Sequence, residues 1–205
     1  GQMVYAVWNE ASKALLSSRL AASGAPLIAE WITYARVTDA LELRIAEQTV
    51  HTTKSATTTV FRSWDAESLA VNGYLIDRGD SAEFHAPDAQ VLLSDAFASG
   101  HCLRLQRPGP DSAALIGVHF EPTTRRESIH DIAGTFWLDR TTAELRALDF
   151  AYLGLPKAAN DARPGGHVEF AHLASGNWVV NRWFLRLPQL GSQLRDQHTG
   201  NFRTT

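Results

Sequence analysis

The sequence AALIGVHFE at residues 113–121 alternates apolar and polar side chains, and three later stretches repeat the pattern. They are AGTFWLD at 133–139, ELRALDFAY at 144–152 and HVEFAHLASGNWVVNRWFLRL at 167–187, the last divided by a turn at Ser175–Gly176. A period of two places one set of side chains on a buried face and the other in water. Because short turns join the stretches, they predict an antiparallel meander.

One face of this meander should be buried. We expect the inward residues to be Ile116, Val118, Phe120, Phe136, Leu138, Leu148, Phe150, Val168, Phe170, Val179, Trp183 and Leu185. Asn181 interrupts this set, so it needs a hydrogen-bond partner or a water if it is buried. If Trp183 is a core residue, its truncation to alanine should cost about 3–5 kcal/mol.

The segments before the meander predict a helix followed by further strands. In residues 3–22, the apolar residues Val4, Trp8, Ala11, Leu15 and Leu16 recur at helical spacing and form one apolar stripe. The remaining segments are predicted as strands at 27–37, 41–50 and 51–61, a short helix at 64–71 capped by Ser63, a hairpin at 74–85, helical turns within 87–100 and a strand at 102–107. The Thr-rich strand 51–61 has little apolar content, which favours a sheet edge.

These elements together predict an α+β fold. We expect a curved antiparallel sheet of about eleven strands, an unclosed half-barrel, with the N-terminal helix packed on its concave face. No internal repeat or low-complexity block divides the chain, so we predict a single domain over 3–188 and a polar tail over 189–205.

Composition limits the classes of function. The 205 residues are 44% apolar and 20% charged, which is typical of a soluble globular protein. The net charge of −3 argues against a nucleic-acid partner, whose binding requires a basic patch. No apolar run reaches the roughly 18–20 residues of a transmembrane segment. We interpret the start at Gly1–Gln2 as trimmed, which leaves open a signal peptide or a preceding domain upstream.

Several stretches resemble one bacterial superfamily. Residues 134–152 (GTFWLDRTTAELRALDFAY) resemble the strand–turn–strand hairpin of the LolA/LolB-like lipoprotein-carrier superfamily. Residues 86–97, 101–105, 166–170 and 177–183 resemble the region that follows the transthyretin-like module in bacterial carboxypeptidase regulatory-like domain-containing proteins. The resemblance covers most of 3–188. It implies an extracytoplasmic location, in the periplasm or at the outer membrane, and it implies no catalytic residue, cofactor or metal.

Candidate catalytic or metal-binding groups are few. His101 and Cys102, the single cysteine, are adjacent on a strand and therefore point to opposite faces, so they do not form a nucleophile–base pair. His167 and Glu169 share a face and would need a third ligand such as His119 to hold a metal. We prefer to interpret them as polar residues of the wet face. The sequence contains no HExxH, GxSxG, GxGxxG or P-loop motif.

Aromatic residues are the main functional signal. The structural interpretation is that they fill the core. The functional interpretation is a non-enzymatic binding module for an apolar small molecule, acyl chain or lipid moiety. The candidate lining residues are Trp8, Trp31, Phe120, Phe136, Phe150, Phe170 and Trp183.

Two other functions stay open. One is a protein–protein interaction or structural module of a larger cell-envelope protein. It would hold a neighbouring domain or envelope partner through the edge strand 51–61 or the loop 155–166. The other, which we rank last, is an enzyme that uses Cys102 or a His-bound metal.

Overall fold

The computed structural model describes residues 2–21, 27–38, 45–57, 63–78, 82–109, 113–156, 159–160, 162–172, 178–189 and 203–204. In chain order the elements are α1 (Gln2–Ala21), β1 (Leu27–Thr38), β2 (Ile45–Thr57), α2 (Ala66–Asn72), β3 (Leu75–Asp77), β4 (Ala82–Phe84), α3 (Ala89–Leu92), α4 (Asp95–Gly100), β5 (His101–Gln106), β6 (Leu115–Pro122), β7 (Ile132–Asp139), β8 (Leu145–Tyr152), β9 (Gly165–His172), β10 (Trp178–Arg186), β11 (Pro188–Gln189) and β12 (Arg203–Thr204).

The fold is α+β and is centred on a six-stranded antiparallel sheet. Its strand order is β10-β9-β8-β7-β6-β5, so each strand pairs with its neighbours in sequence. This arrangement confirms the predicted meander. The two edge strands, β10 and β5, do not pair with each other, and the sheet is therefore unclosed.

Helix α1 covers the inward face of this sheet. Ala11, Ala14 and Leu15 on the helix are buried, whereas Leu16, which was expected in the apolar stripe, is 43% exposed. The ring centroid of Trp8 lies 5.1 Å from that of Phe136 on β7. We call the opposite side of the sheet the outer face. Within the described part of the chain, no helix is both long and apolar enough to cross a membrane.

A bulge in β10 changes which residues face inward. The pairing of β10 with β9 shifts between Val180 and Arg182, so Asn181 is the extra residue. Val180, opposite Phe170, packs against the core, and Trp183 follows on the same side after the bulge. The inward assignment of Val179 was therefore wrong by one residue. Asn181 is exposed and needs no buried partner.

Strand β2 is longer than expected. Residues 41–50 and 51–61 were predicted as two strands, whereas β2 runs from Ile45 to Thr57 and pairs with β1 throughout. No turn-forming residue interrupts the run near residue 50, which is why one strand forms. The four-stranded sheet has the order β11-β12-β1-β2, so β2 lies at an edge, as predicted for its Thr-rich half. All residues from 48 to 55 are exposed.

The start of α2 also differs from the prediction. Asp65, not Ser63, is the N-cap, because its carboxylate accepts a hydrogen bond from the Ser68 backbone N–H. The Ser63 backbone N–H instead donates to Asp88, which also caps α3. The expected turn at Ser175–Gly176 lies outside the described residues, as does most of the expected tail.

Candidate ligand-binding cleft

The aromatic residues predicted to line a ligand site lie largely in the core. Phe120 and Phe136 are fully buried, and Phe150 and Phe170 are nearly so. Trp183 is half-buried on β10, and the side chain of Trp31 lies outside the described residues. Ring contacts of 5.1 Å from Trp8 to Phe136 and 5.3 Å from Phe136 to Phe120 connect this set. Its role in lining a ligand site stays a prediction.

A cleft lies beside this aromatic core, between α2, α4 and the segment 123–131. Its volume is about 480 Å³, within the range of small-molecule sites. Its inner wall is apolar and includes Leu69, Val91 and Phe97, all buried. Its rim is solvent-exposed and includes Glu67. We call it the α2–α4 cleft.

Local sequence signals position the two helices around the cleft. Ser94 caps α4 by accepting a hydrogen bond from the Phe97 backbone N–H at 3.1 Å. Gly73 ends α2 with φ +84°, a conformation that favours glycine, and a Cβ there would meet the carbonyl oxygen of His130 at 2.6 Å. The Tyr74 backbone N–H donates to that same carbonyl at 2.6 Å. These contacts tie the end of α2 to the segment that leads into β7.

Buried polar groups form the base of the cleft. His101 Nδ1 lies 3.0 Å from the carbonyl oxygen of Phe97 and donates to it, because a carbonyl only accepts. The His101 ring also stacks on Phe97, with centroids 4.0 Å apart. Its Nε2 is 3.3 Å from Asp131 Oδ1 but is not aligned for a hydrogen bond.

Arg126 joins this base to the mouth of the cleft. One guanidinium nitrogen donates to the carbonyl oxygen of Ala70 on α2 at 2.7 Å. The other lies 3.4 Å from Asp131 Oδ2. Arg126 therefore connects α2 to the residue that immediately precedes β7.

The environment sets the charge of the titratable groups. Burial favours the neutral form of Asp131, but the His101 imidazole, the Ile132 backbone N–H and the charge of Arg126 outweigh it and hold its pKa below the ordinary 3.8. Burial raises the pKa of Tyr74 far above its usual value, and the charge of Asp131 adds to the effect. At neutral pH the cleft therefore holds an ionised Asp131 beside a neutral phenol.

The Asp131 carboxylate should make stability depend on acidity. Its pKa is lower in the folded than in the unfolded state, so its contribution is fully present above the unfolded value and is lost as the pH falls through the folded one. We expect the free energy of unfolding to decline between about pH 5 and pH 3, and to decline less steeply in Asp131→Asn. Urea denaturation across this range measures both slopes. The exposed Glu127→Gln exchange is the control, and equal slopes in Asp131→Asn and the parent protein would contradict the assignment.

The other sequence-based candidates are placed as expected by strand geometry. His101 is buried on the inward side, whereas Cys102 is exposed, so they do face opposite sides. His167 Nε2 and Glu169 Oε1 are 3.4 Å apart on the outer face. His119 lies on β6, and β7 and β8 separate that strand from β9. Among the described residues, no group of three His, Cys, Asp or Glu side chains is arranged to hold a metal ion.

Sequence reasoning missed the α2–α4 cleft. Its polar base joins His101, Arg126 and Asp131, which are far apart in the chain and belong to no motif. The available signal was the inward position of His101 on a strand, because a buried histidine requires polar partners.

No protein-family model matches the chain, and neither a curated protein nor a solved structure shows significant similarity to it.

Proposed function

We propose that this protein is a non-enzymatic extracytoplasmic module that binds an apolar ligand or lipid moiety in the α2–α4 cleft. The observation that carries the proposal is a cleft of about 480 Å³ whose inner wall is apolar and whose rim is open to solvent. Removing apolar ligand surface from water supplies roughly 25 cal/mol per Å² and so favours binding there. The extracytoplasmic location rests on the resemblance described above.

The aromatic core supports this site from behind. Phe97 lines the cleft, and its ring centroid lies 5.3 Å from that of Phe120. Phe120, one of the predicted lining residues, therefore lies directly behind the cleft wall and contacts Phe97. We propose that the full domain is a curved half-barrel of about eleven strands with α1 on its concave side. The unclosed sheet and the burial of Ala11 and Leu15 on α1 support this form.

Filling the cleft should abolish ligand binding without unfolding the protein. Ala96 on α4 is half-buried and lines the cleft, so Ala96→Phe places a ring in the space that a ligand would occupy. We expect the dissociation constant for a fluorescent fatty acid to rise at least about tenfold, equivalent to roughly 1.4 kcal/mol. A fluorescence titration measures the change, and native mass spectrometry of gently purified protein detects any ligand that is already bound.

Ala98→Phe is the matched control. Ala98 lies on the same helix but is exposed and outside the cleft, so this variant should bind like the parent protein. Absence of binding by the parent protein to fatty acid and to a panel of other apolar probes would refute the proposal. Equal loss of affinity in both variants would show that a phenylalanine on α4 weakens binding by disturbing the helix and not by filling the cleft.

The alternative function is an interaction module. The observation that favours it is the edge strand β2, whose residues 48–55 are all exposed and include Val50, 51% exposed. An exposed edge presents unpaired backbone groups to which a partner strand can add. This function requires no ligand in the α2–α4 cleft, so binding in the ligand titration favours the first function over this one.

A further inference from the structure

Trp137 lies across the outer face of the sheet in a fixed orientation. Its indole Nε1 donates to Asp149 Oδ2 on β8 at 2.7 Å. Near the other end of the ring, a Cβ added to Gly117 on β6 would come within 2.9 Å of Trp137 Cζ3. The indole therefore spans from β8 to β6 across the outer face, in space that glycine leaves open. The Trp137 side chain is half-buried, so part of the indole is accessible to solvent.

A second aromatic group lies beside it on the same face. The other Asp149 oxygen, Oδ1, is 2.6 Å from His167 Nδ1. The His167 ring in turn stacks on Phe184, with centroids 5.6 Å apart, and Phe184 is 38% exposed. Asp149 thus connects two aromatic surfaces. We call the set Gly117, Trp137, Asp149, His167 and Phe184 the Trp137 platform.

Neutral hydrogen-bonding groups lie along the β6 side of the platform. The Thr135 hydroxyl donates to Gln106 Oε1 at 3.0 Å and lies 3.1 Å from His119 Nδ1. Burial and the nearby charge of Arg104 lower the pKa of His119, against the opposing effect of Glu121, so its ring is neutral at neutral pH. A neutral imidazole and a primary amide offer donors and acceptors without net charge.

Several ionisable groups on this face lie in contact with one another. Arg104 contacts Glu121 at 2.7 Å, and His167 lies between Asp149 and Glu169. A strongly anionic or cationic ligand would therefore have to displace one partner of these contacts. A neutral ligand rich in hydroxyl groups would not.

We propose that the Trp137 platform is a binding site for neutral carbohydrate. The C–H groups on one face of a pyranose ring carry partial positive charge, and the face of an indole is negative, so the two surfaces attract. Around the ring, sugar hydroxyls can donate to the Asp149 and Glu169 carboxylates and exchange hydrogen bonds with Gln106. The preset indole loses little conformational freedom on binding, which favours affinity.

This site is independent of the α2–α4 cleft. The cleft includes His101, which is buried on the inward side of β5, whereas the platform lies on the outer face. The result of the carbohydrate-binding test therefore does not depend on whether the cleft binds an apolar ligand.

The test is binding of defined oligosaccharides to the full chain. The probes are maltohexaose, cellohexaose, mannohexaose and chitohexaose, with hexagalacturonate as an acidic counterpart. We expect at least one neutral probe to bind in calorimetry and to shift the indole N–H resonance of Trp137. In Trp137→Ala, the affinity for that probe should fall about tenfold or more, as expected for loss of an aromatic contact together with its buried area.

Two further variants keep the result interpretable. Trp64→Ala removes another exposed tryptophan, which stacks on His85 away from the platform, and should leave carbohydrate affinity unchanged. Trp137→Phe keeps a ring but loses the N–H donor to Asp149, and should bind with intermediate affinity. The proposal is overturned if no neutral probe binds at millimolar concentration, if only hexagalacturonate binds, or if folded Trp137→Ala binds as well as the parent protein.

Discussion

Replacing Phe136 by alanine is expected to lower the free energy of unfolding by about 3–5 kcal/mol. Phe136 is fully buried on β7, and its ring contacts both Trp8 on α1 and Phe120 on β6. Truncation therefore removes buried apolar area and leaves a cavity at the junction of helix and sheet, where neither element can close in fully. Urea denaturation followed by circular dichroism measures the change.

Phe184→Ala is the matched control for this substitution. Phe184 is also a strand phenylalanine, but it lies on the outer face and is 38% exposed. Its loss should cost no more than about 1 kcal/mol. Similar losses in the two variants would mean that the inward and outer faces of the sheet have been assigned incorrectly.

Replacing Gly134 by valine is expected to cost about 3 kcal/mol or more, or to prevent folding. A Cβ at this position would collide with the backbone carbonyl oxygen of Asp149 and come within 2.6 Å of Phe120 Cζ. The carbonyl belongs to the paired strand β8, so relief requires movement of the sheet itself rather than of one side chain. The fraction of soluble protein and its denaturation midpoint report the effect.

Gly100→Ala controls for the loss of a glycine in general. No atom lies within 4 Å of a Cβ built on Gly100, at the end of α4. The substitution should therefore change stability by no more than about 1 kcal/mol, because alanine is the better helix former. Full stability in Gly134→Val would show that β7 and β8 do not approach as described.

The meander was predictable because its signal is local. Alternation with a period of two is written in each strand, and it correctly assigned Val118, Phe120 and Phe136 to the core. The error at Val179 has a different origin. A bulge is decided by the pairing of two strands, and nothing in the sequence near Asn181 distinguishes an inserted residue from a buried polar one.

The remaining differences also arise from contacts between distant segments. Ser63 and Asp65 are both favourable cap residues; Asp65 is the cap, whereas the Ser63 backbone N–H donates to Asp88, 25 positions away. The α2–α4 cleft depends in the same way on the meeting of His101 and Asp131. Strand patterns predict which side of a sheet a residue faces, but not which loop approaches it.

Glycines beneath aromatic rings have a consequence for the alignment of the strands. Gly134 lies under the ring of Phe120, and Gly166 lies under the ring of Phe150. If β6 or β8 slipped by one residue along its neighbour, these rings would point to water and the hollows beneath them would stay empty. The two contacts between an aromatic ring and a glycine therefore favour one register of β6 with β7 and of β8 with β9. Backbone hydrogen bonds alone would permit several registers.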